Sequence, residues 1–320
     1  MRIVNSIRNL PESLPYPVMA IGVFDGVHCG HQKILQQIVE RARRNEGTPL
    51  LLSFDPHPQK IISSGDAPPL IQTPRQRYNL MAELGVQILV RLPFTRRLSL
   101  MKPDEFAKQV LLRLGIREIH VGSNFRFGHR RSGDFSALRQ LGQSLGFGVH
   151  RIGRVLFRGE RISSTRIRGL IREGRVALAK RLLGRPYQIQ GTVVRGAGKG
   201  KQLGFPTANL ESENELTPAT GVYATRARLN GESYVGATNI GYRPTVYGDS
   251  ETTPTIEVHL LDFEGNLYGK PIELEFCFRL RREEKYESVD ILKKRIQLDI
   301  GRCDRYSKLV EPFLEKRSCL

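Results

Sequence analysis

Met19-Ala20-Ile21-Gly22-Val23-Phe24-Asp25-Gly26-Val27-His28-Cys29-Gly30-His31 joins a short apolar run to a glycine-broken turn and then to a helix. The run from Pro17 to Phe24 is apolar and ends at Asp-Gly, the pattern of a buried strand in a parallel sheet. From His31 onward Ile34, Leu35, Ile38 and Val39 recur at helical spacing, with Lys33, Gln36, Gln37, Glu40 and Arg41 on the opposite side. His28 and His31 therefore flank a helix start. Such an end carries unpaired backbone N–H groups and the positive pole of the helix dipole, which suits an anion. Gly26 and Gly30 let a ligand approach the backbone. By itself His-x-Gly-His reads by default as a purely structural turn.

The same period continues outward. Pro49 to Phe54 is an apolar strand ending in Asp55-Pro56-His57-Pro58, and Thr73-Pro74 opens a helix through about Leu84. Gln87 to Leu92 is a third strand. Pro103 to Leu114 is a helix closed by Gly115, and Arg117 to Val121 a fourth strand before Gly122-Ser123-Asn124-Phe125-Arg126-Phe127-Gly128. Asp134 caps a helix through Leu145, and Gly148 to Ile152 is a fifth strand. This alternation predicts an α/β fold with a parallel, doubly wound sheet, whose ligands sit beyond the carboxyl ends of the strands near a topological switch point. His28, His57 and Asn124 fall at such ends. Asp55 and His57 are candidates for flavin or phosphate contact. Arg126 sits in a basic loop with His129, Arg130 and Arg131. Ser163, Ser164 and Thr165 precede the helical apolar positions Ile167, Leu170 and Ile171, so their hydroxyls cap a helix or, with Arg166 or Arg168, grip phosphate.

Around Gly184-Arg185-Pro186 the period changes to strands alone, which divides the chain into domains 1–185 and 186–320. Strand candidates are Tyr187 to Val194, Gly221 to Leu229, Tyr234 to Ile240, Thr255 to Phe263 and Pro271 to Leu280. They predict a small β-barrel, with a helix from Val289 to Ile300 packed against it. Between the first two runs lies Arg195-Gly196-Ala197-Gly198-Lys199-Gly200-Lys201-Gln202-Leu203-Gly204-Phe205-Pro206-Thr207-Ala208-Asn209. No Walker pattern aligns on it, and a glycine-rich hairpin connection is one reading. The other is a phosphate loop, in which Gly196, Gly198 and Gly200 expose N–H groups, Lys199 and Lys201 add charge, and Thr207 and Asn209 offer oxygens to Mg²⁺. In Thr255 to Asp262, Ile256, Val258 and Leu260 face one way and Glu257 and His259 the other.

The chain has 320 residues, of which 39% are hydrophobic, enough for two domains with cores of their own. Its formal charge of +18 lies wholly in residues 1–185, which hold 31 Lys and Arg against 13 Asp and Glu. Nucleic acid, phosphorylated small molecules or solvated arginine faces all account for this, but no zinc-finger spacing or RNA-recognition aromatic motif accompanies it. Cys29, Cys277, Cys303 and Cys319 are far apart, without metal-ligand spacing, and no run of ~18 apolar residues occurs. The expectation is a cytoplasmic protein with reduced thiols and no membrane association.

Gly-x-Phe-Asp-Gly, His-x-Gly-His and the downstream Ile162-Ser163-Ser164-Thr165-Arg166-Ile167-Arg168 together resemble the nucleotidyltransferase superfamily that shares His-x-Gly-His with class I aminoacyl-tRNA synthetases. Pro206-Thr207-Ala208-Asn209, Gly221-Val222-Tyr223-Ala224, Asn239-Ile240-Gly241-Tyr242-Arg243-Pro244-Thr245 and Glu257-Val258-His259-Leu260-Leu261-Asp262-Phe263 resemble riboflavin kinase. Joined, they resemble the bifunctional prokaryotic riboflavin kinase and FMN adenylyltransferase (FAD synthetase) family over nearly the full length. Lys201 stands where the family commonly has arginine and Arg295 where it has glutamine; the tail from about Asp304 has no match.

The resemblance implies that riboflavin and ATP give FMN and ADP, then FMN and ATP give FAD and pyrophosphate, both with Mg²⁺ and neither through a covalent nucleophile. It makes His28 and His31 stabilisers of ATP's phosphates. Gly22, Phe24, Asp25, Gly26, Asn124, Arg126, Ser163, Ser164, Thr165 and Arg168 become ATP or phosphate contacts. Glu257 falls on the family's general base, which takes the proton of riboflavin's 5′-hydroxyl, and Thr207 and Asn209 on its metal and phosphate site. His259 is left with packing or a hydrogen bond. Nucleic acid, membrane and an obligatory protein partner are not expected. A basic nucleic-acid-binding protein leaves Glu257, Thr207 and Asn209 unexplained, and a tRNA-directed nucleotidyltransferase leaves the second domain without a purpose.

Overall fold

Six parallel strands make the sheet of the first unit: β1 (Arg2–Val4), β2 (Val18–Ile21), β3 (Pro49–Asp55), β4 (Ile88–Pro93), β5 (Glu118–Gly122) and β6 (Gly148–Ile152), in the order β1-β4-β3-β2-β5-β6. They belong to a computed structural model that describes residues 1–11, 13–62, 67–196, 198–242 and 254–315. Crossovers are made by α1 (Cys29–Arg44), α2 (Pro58–Ile62), α3 (Pro74–Glu83), α4 (Arg96–Ser99), α5 (Pro103–Phe106, continued in helical turns to Leu114) and α6 (Phe135–Leu145). A hairpin of β7 (Leu156–Phe157) and β8 (Glu160–Arg161) follows.

Side chains alternate along a strand, so Met19 and Ile21 face one way and Val18 and Ala20 the other. Met19 and Ile21 meet Leu50, Leu52, Ile119, Val121, Phe106 and Leu138 on the α5–α6 side. Val18 and Ala20 meet Leu51, Leu89, Leu35, Ile38 and Met81 on the α1–α3 side. Helices on both faces explain why the strands read as unbroken apolar runs. The chain moves outward from β2 through β3 to β4 and returns at β5 on the other side of β2, so the switch point lies at the carboxyl ends of β2 and β5.

One charged group is buried on the α1 face. Glu118 accepts from Tyr16 Oη at 2.7 Å and from Arg41 Nε at 2.8 Å. Burial raises its pKa, but the hydrogen bonds from Arg41, Tyr16 and His120 outweigh that and hold the carboxyl down to about 2.

Helix α7 (Ser164–Arg172), whose first residue groups with the first unit and the rest with the second, and α8 (Val176–Leu183) lead into the antiparallel strands of the second unit, β9 (Tyr187–Val194), β10 (Ala208–Ser212), β11 (Gly221–Leu229), β12 (Glu232–Gly241), β13 (Thr255–Leu260) and β14 (Pro271–Arg281). They close into a barrel in the order β10-β13-β12-β11-β14-β9. A single turn, α9 (Lys199–Gln202), lies between β9 and β10, and α10 (Val289–Glu315) packs on β11 and β12.

Several elements depart from the sequence reading. The sequence reading ends the glycine-rich connection at Asn209 and names no strand there; Ala208–Ser212, with the single large apolar residue Leu210, is strand β10 because both neighbours pair with it. Strand β13 stops at Leu260, ahead of the positive φ at Asp262. Helix α10 runs through the tail that matched no pattern, and β1 and α8 were not anticipated. The chain splits into compact units Met1–Leu70 with Pro74–Ser164, and Ile71–Thr73 with Thr165–Leu320. This division precedes the compositional change at Arg185, because α8 packs on β9 and β14.

Helix α10 is tied to β14 by Arg281 Nε donating to Asp299 Oδ2 at 2.7 Å, with Asp299 buried and Arg281 largely so. Removing one partner strands the other charge away from water. Asp299→Ala should cost the barrel unit about 3 kcal/mol, read as an earlier urea midpoint; an unchanged midpoint contradicts this coupling.

Candidate functional site

In the first unit the turn after β2 is shaped by left-handed backbone. Phe24, Gly26 and Val27 have φ of 56°, 82° and 35°, so the chain reverses tightly before α1. His28 is the N-cap: its backbone is extended and its Nδ1 accepts from the His31 N–H at 3.2 Å. An accepting Nδ1 puts the ring proton on Nε2, so buried His28 presents an N–H donor. The His28 and His31 rings stack at 3.7 Å, and Phe24 lies 5.0 Å from His31. A Cβ at Gly30 would come within 3.1 Å of the His28 ring, and one at Gly22 within 3.0 Å of Phe24. Gly30 thus makes room for the His28 ring rather than for a ligand at that point.

Three side chains that the sequence did not single out hold this turn by its carbonyls. Arg77 Nη1 donates to Val23 O at 3.3 Å, Ser53 Oγ to the same oxygen at 3.5 Å, and Gln32 Nε2 to Val27 O at 2.8 Å. Arg77 and Ser53 are buried, but nothing in their local pattern distinguishes them from surface residues. Ser164 Oγ donates to the carbonyl of buried Asp25 at 2.9 Å, so the hydroxyl at the start of α7 meets the histidine turn. Ser163 immediately precedes it; Thr165 and buried Arg168 lie on α7 and group with the second unit.

The remaining candidates of this unit stand at strand ends with contacts of their own. Asp55 pairs with Arg91 Nη1 at 3.2 Å, His57 Nδ1 accepts from the Gln59 N–H at 3.2 Å, and Arg126 pairs with Asp134 at 3.3 Å. Asn124 is exposed just past β5. Asp134 also caps α6 by accepting from the Ala137 N–H, which with Arg126 holds its carboxyl below the usual range.

In the barrel, strand register assembles the candidates. Asn209 of β10 stands opposite Glu257 of β13, which stands opposite Asn239 of β12. Side chains at directly opposed positions share a face, so a carboxylate lies in one row between two amides. Ile256, Val258 and Leu260 are buried, whereas Glu257 and His259 are partly exposed on the other face. Asn239 received no role from the sequence, although the alternation on β12 could have placed it.

The glycine-rich connection folds against this row. A Cβ at Gly196 would stand 2.0 Å from Asn209 Nδ2, and one at Gly200 2.8 Å from Thr207 Oγ1, so both glycines are needed for backbone to reach these side chains. Gly198 has a φ of 71°, and Lys201 is exposed. His259 Nδ1 lies 2.8 Å from the Pro206 carbonyl oxygen and its ring meets Phe205 edge-on, which anchors the segment ahead of Thr207. The side chain of Lys199 and residues Arg243, Pro244 and Thr245 lie outside the described residues.

A family model described as FAD synthetase matches residues 11–166, and one described as riboflavin kinase matches residues 183–307. The chain belongs to the bifunctional riboflavin kinase/FMN adenylyltransferase family. The family member from Pseudomonas fluorescens is 38% identical over 302 residues, covering 94% of this chain and 96% of that one. That from Escherichia coli K12 is 35% identical over 315 residues, covering 98% and 100%. A Streptococcus pneumoniae crystal structure, titled as a macrolide-efflux protein, is 26% identical with a TM-score of 0.86 over 93% of this chain and 97% of that one. The described helices include none long and apolar enough to cross a membrane.

Proposed function

We propose that the two units divide the family's reactions between them, the barrel phosphorylating riboflavin and the parallel-sheet unit adenylylating the FMN produced. The observation that carries this reading is the row Asn209–Glu257–Asn239 beside a glycine-rich connection, in a unit separate from the histidine turn. Residues 1–185 are assigned the adenylyl transfer and residues 186–320 the kinase, with α8 needed to cover β9 and β14 in any kinase fragment.

In the kinase reaction Glu257 takes the proton from the 5′-hydroxyl of riboflavin as that oxygen attacks the γ-phosphorus of ATP, and ADP leaves. The backbone of Gly196, Gly198 and Gly200 and the charge of Lys199 and Lys201 hold the phosphates. The hydroxyl of Thr207 and the amide oxygen of Asn209 are hard oxygen donors of the kind Mg²⁺ takes, and the backbone of Gly196 and Gly200 lies close against these two side chains. Held there, Mg²⁺ would supply neutralisation of phosphate charge.

In the adenylyl transfer a phosphate oxygen of FMN attacks the α-phosphorus of ATP and pyrophosphate leaves. His28 donates through Nε2–H, and with His31 and the α1 N-terminus it stabilises charge on the transferring and departing phosphates. Gly22, Phe24, Asp25 and Gly26 shape the turn that places them. Asn124, Arg126, Ser163 and Ser164 supply further ATP contacts in the same unit, and Asp55 and His57 the flavin or phosphate contacts at the neighbouring strand end.

Two sets of variants test the assignment. Glu257→Gln should slow FMN formation by ~10²–10⁴ while FAD formation from supplied FMN persists; equal loss of both in a folded variant refutes the role of Glu257. His28→Ala and His31→Ala should each lower kcat for FAD formation by ~10²–10³ and leave riboflavin phosphorylation intact. If both make FAD at the parent rate, the turn is only structural.

A further inference from the structure

Glu118 opens β5, at the opposite end of the strand from the candidate nucleotide site, which follows Gly122. Glu118 and His120 are two positions apart and share a face; His150 of β6 is in register with His120. Nε2 of His120 and Nε2 of His150 each lie 3.3 Å from Oε2 of Glu118. The two rings stack at 4.6 Å, and one ligand atom from each of the three residues lies within 4.8 Å of the others. We propose that Glu118, His120 and His150 form a site for Zn²⁺.

The geometry suits that ion. Zinc bonded to nitrogen and oxygen at about 2.0–2.1 Å in a tetrahedron separates its ligand atoms by about 3.3 Å, the distance of both histidines from the carboxylate. Tyr16 and Arg41 hydrogen-bond Oε1 and so orient the carboxylate as outer partners of a metal ligand do, while Oε2, which faces the imidazoles, is shared with Arg41 Nε at 2.9 Å. Gly148 supplies the room: a Cβ there would come within 3.3 Å of His150 Nε2 and 3.6 Å of Glu118 Cγ. His120 Nδ1 is buried with no hydrogen-bond partner among the described residues, so the polar engagement of its ring is through Nε2.

Imidazole donors select zinc over Mg²⁺, the ion of the kinase chemistry. His150 is 45% exposed, so the ion has an entry path and a fourth position for water. The Arg41 guanidinium, paired with the same carboxylate, opposes cation binding. An ion held here would clamp the edge strand β6 to β5.

The test is zinc retention by the full chain. Chelator-stripped protein is dialysed against micromolar Zn²⁺ in millimolar Mg²⁺, which keeps hard-oxygen sites filled, and its metal content is measured. Wild-type protein should hold about one Zn²⁺ per chain more than His150→Ala, which removes an exposed ligand, and Gly148→Val, which displaces His150 and leaves all three ligands in the chain. Cobalt in place of zinc should give wild-type protein the visible absorption of a four-coordinate ion. Wild-type protein that retains no Zn²⁺, equal retention in the three proteins, or cobalt without that absorption overturns the proposal.

Discussion

The pairing of β10 with both β9 and β13 is the interaction on which the second unit depends. Without it the sheet has two free edges, each a row of unpaired N–H and C=O groups, and the barrel does not close. The same pairing sets the candidate chemistry, because its register places Asn209 opposite Glu257. A one-residue slip would turn Asn209 into the barrel and leave Glu257 facing an apolar neighbour. Stability and site geometry are therefore consequences of one set of backbone hydrogen bonds.

The parallel sheet obeys a different constraint with a similar result. Strands covered on both faces leave their ends as the places where polar chemistry can gather, and the reversal between β2 and β5 opens a crevice at those ends. The histidine turn occupies that position, held by Arg77, Ser53 and Gln32 from below and by Ser164 from the start of α7. At the other end of β5, Glu118 sits in a second polar cluster built from Tyr16, Arg41 and the two histidines. Both clusters exist because strand termini are the parts of this sheet that its helices do not cover with apolar side chains.

Legibility in the sequence followed how much of an element's structure is local. Val18–Ile21 and Leu35–Ile38 were readable because burial on both faces, or on one helical stripe, leaves a periodic mark. Strand β10 was not, since its single large apolar residue carries no period and its strand character comes from partners distant in sequence. The candidate site divides in the same way. The alternation that exposes Glu257 was visible in β13, but its assignment as a base came from the family resemblance; its position opposite Asn239 required the register of β12. Arg77 and the Glu118–His120–His150 cluster were invisible because each joins residues from separate elements through side-chain geometry alone.

The central claim is that one chain carries two independent centres linked by a diffusible product. It is tested most directly by mixing full-length Glu257→Gln with full-length His31→Ala and following riboflavin to FAD with ATP and Mg²⁺. Each variant alone should stall, the first at riboflavin and the second at FMN, with residual rates lower by ~10² or more. The mixture should make FAD, because the kinase of one chain supplies the adenylyltransferase of the other. A mixture of folded variants that makes no more FAD than its components would contradict the account.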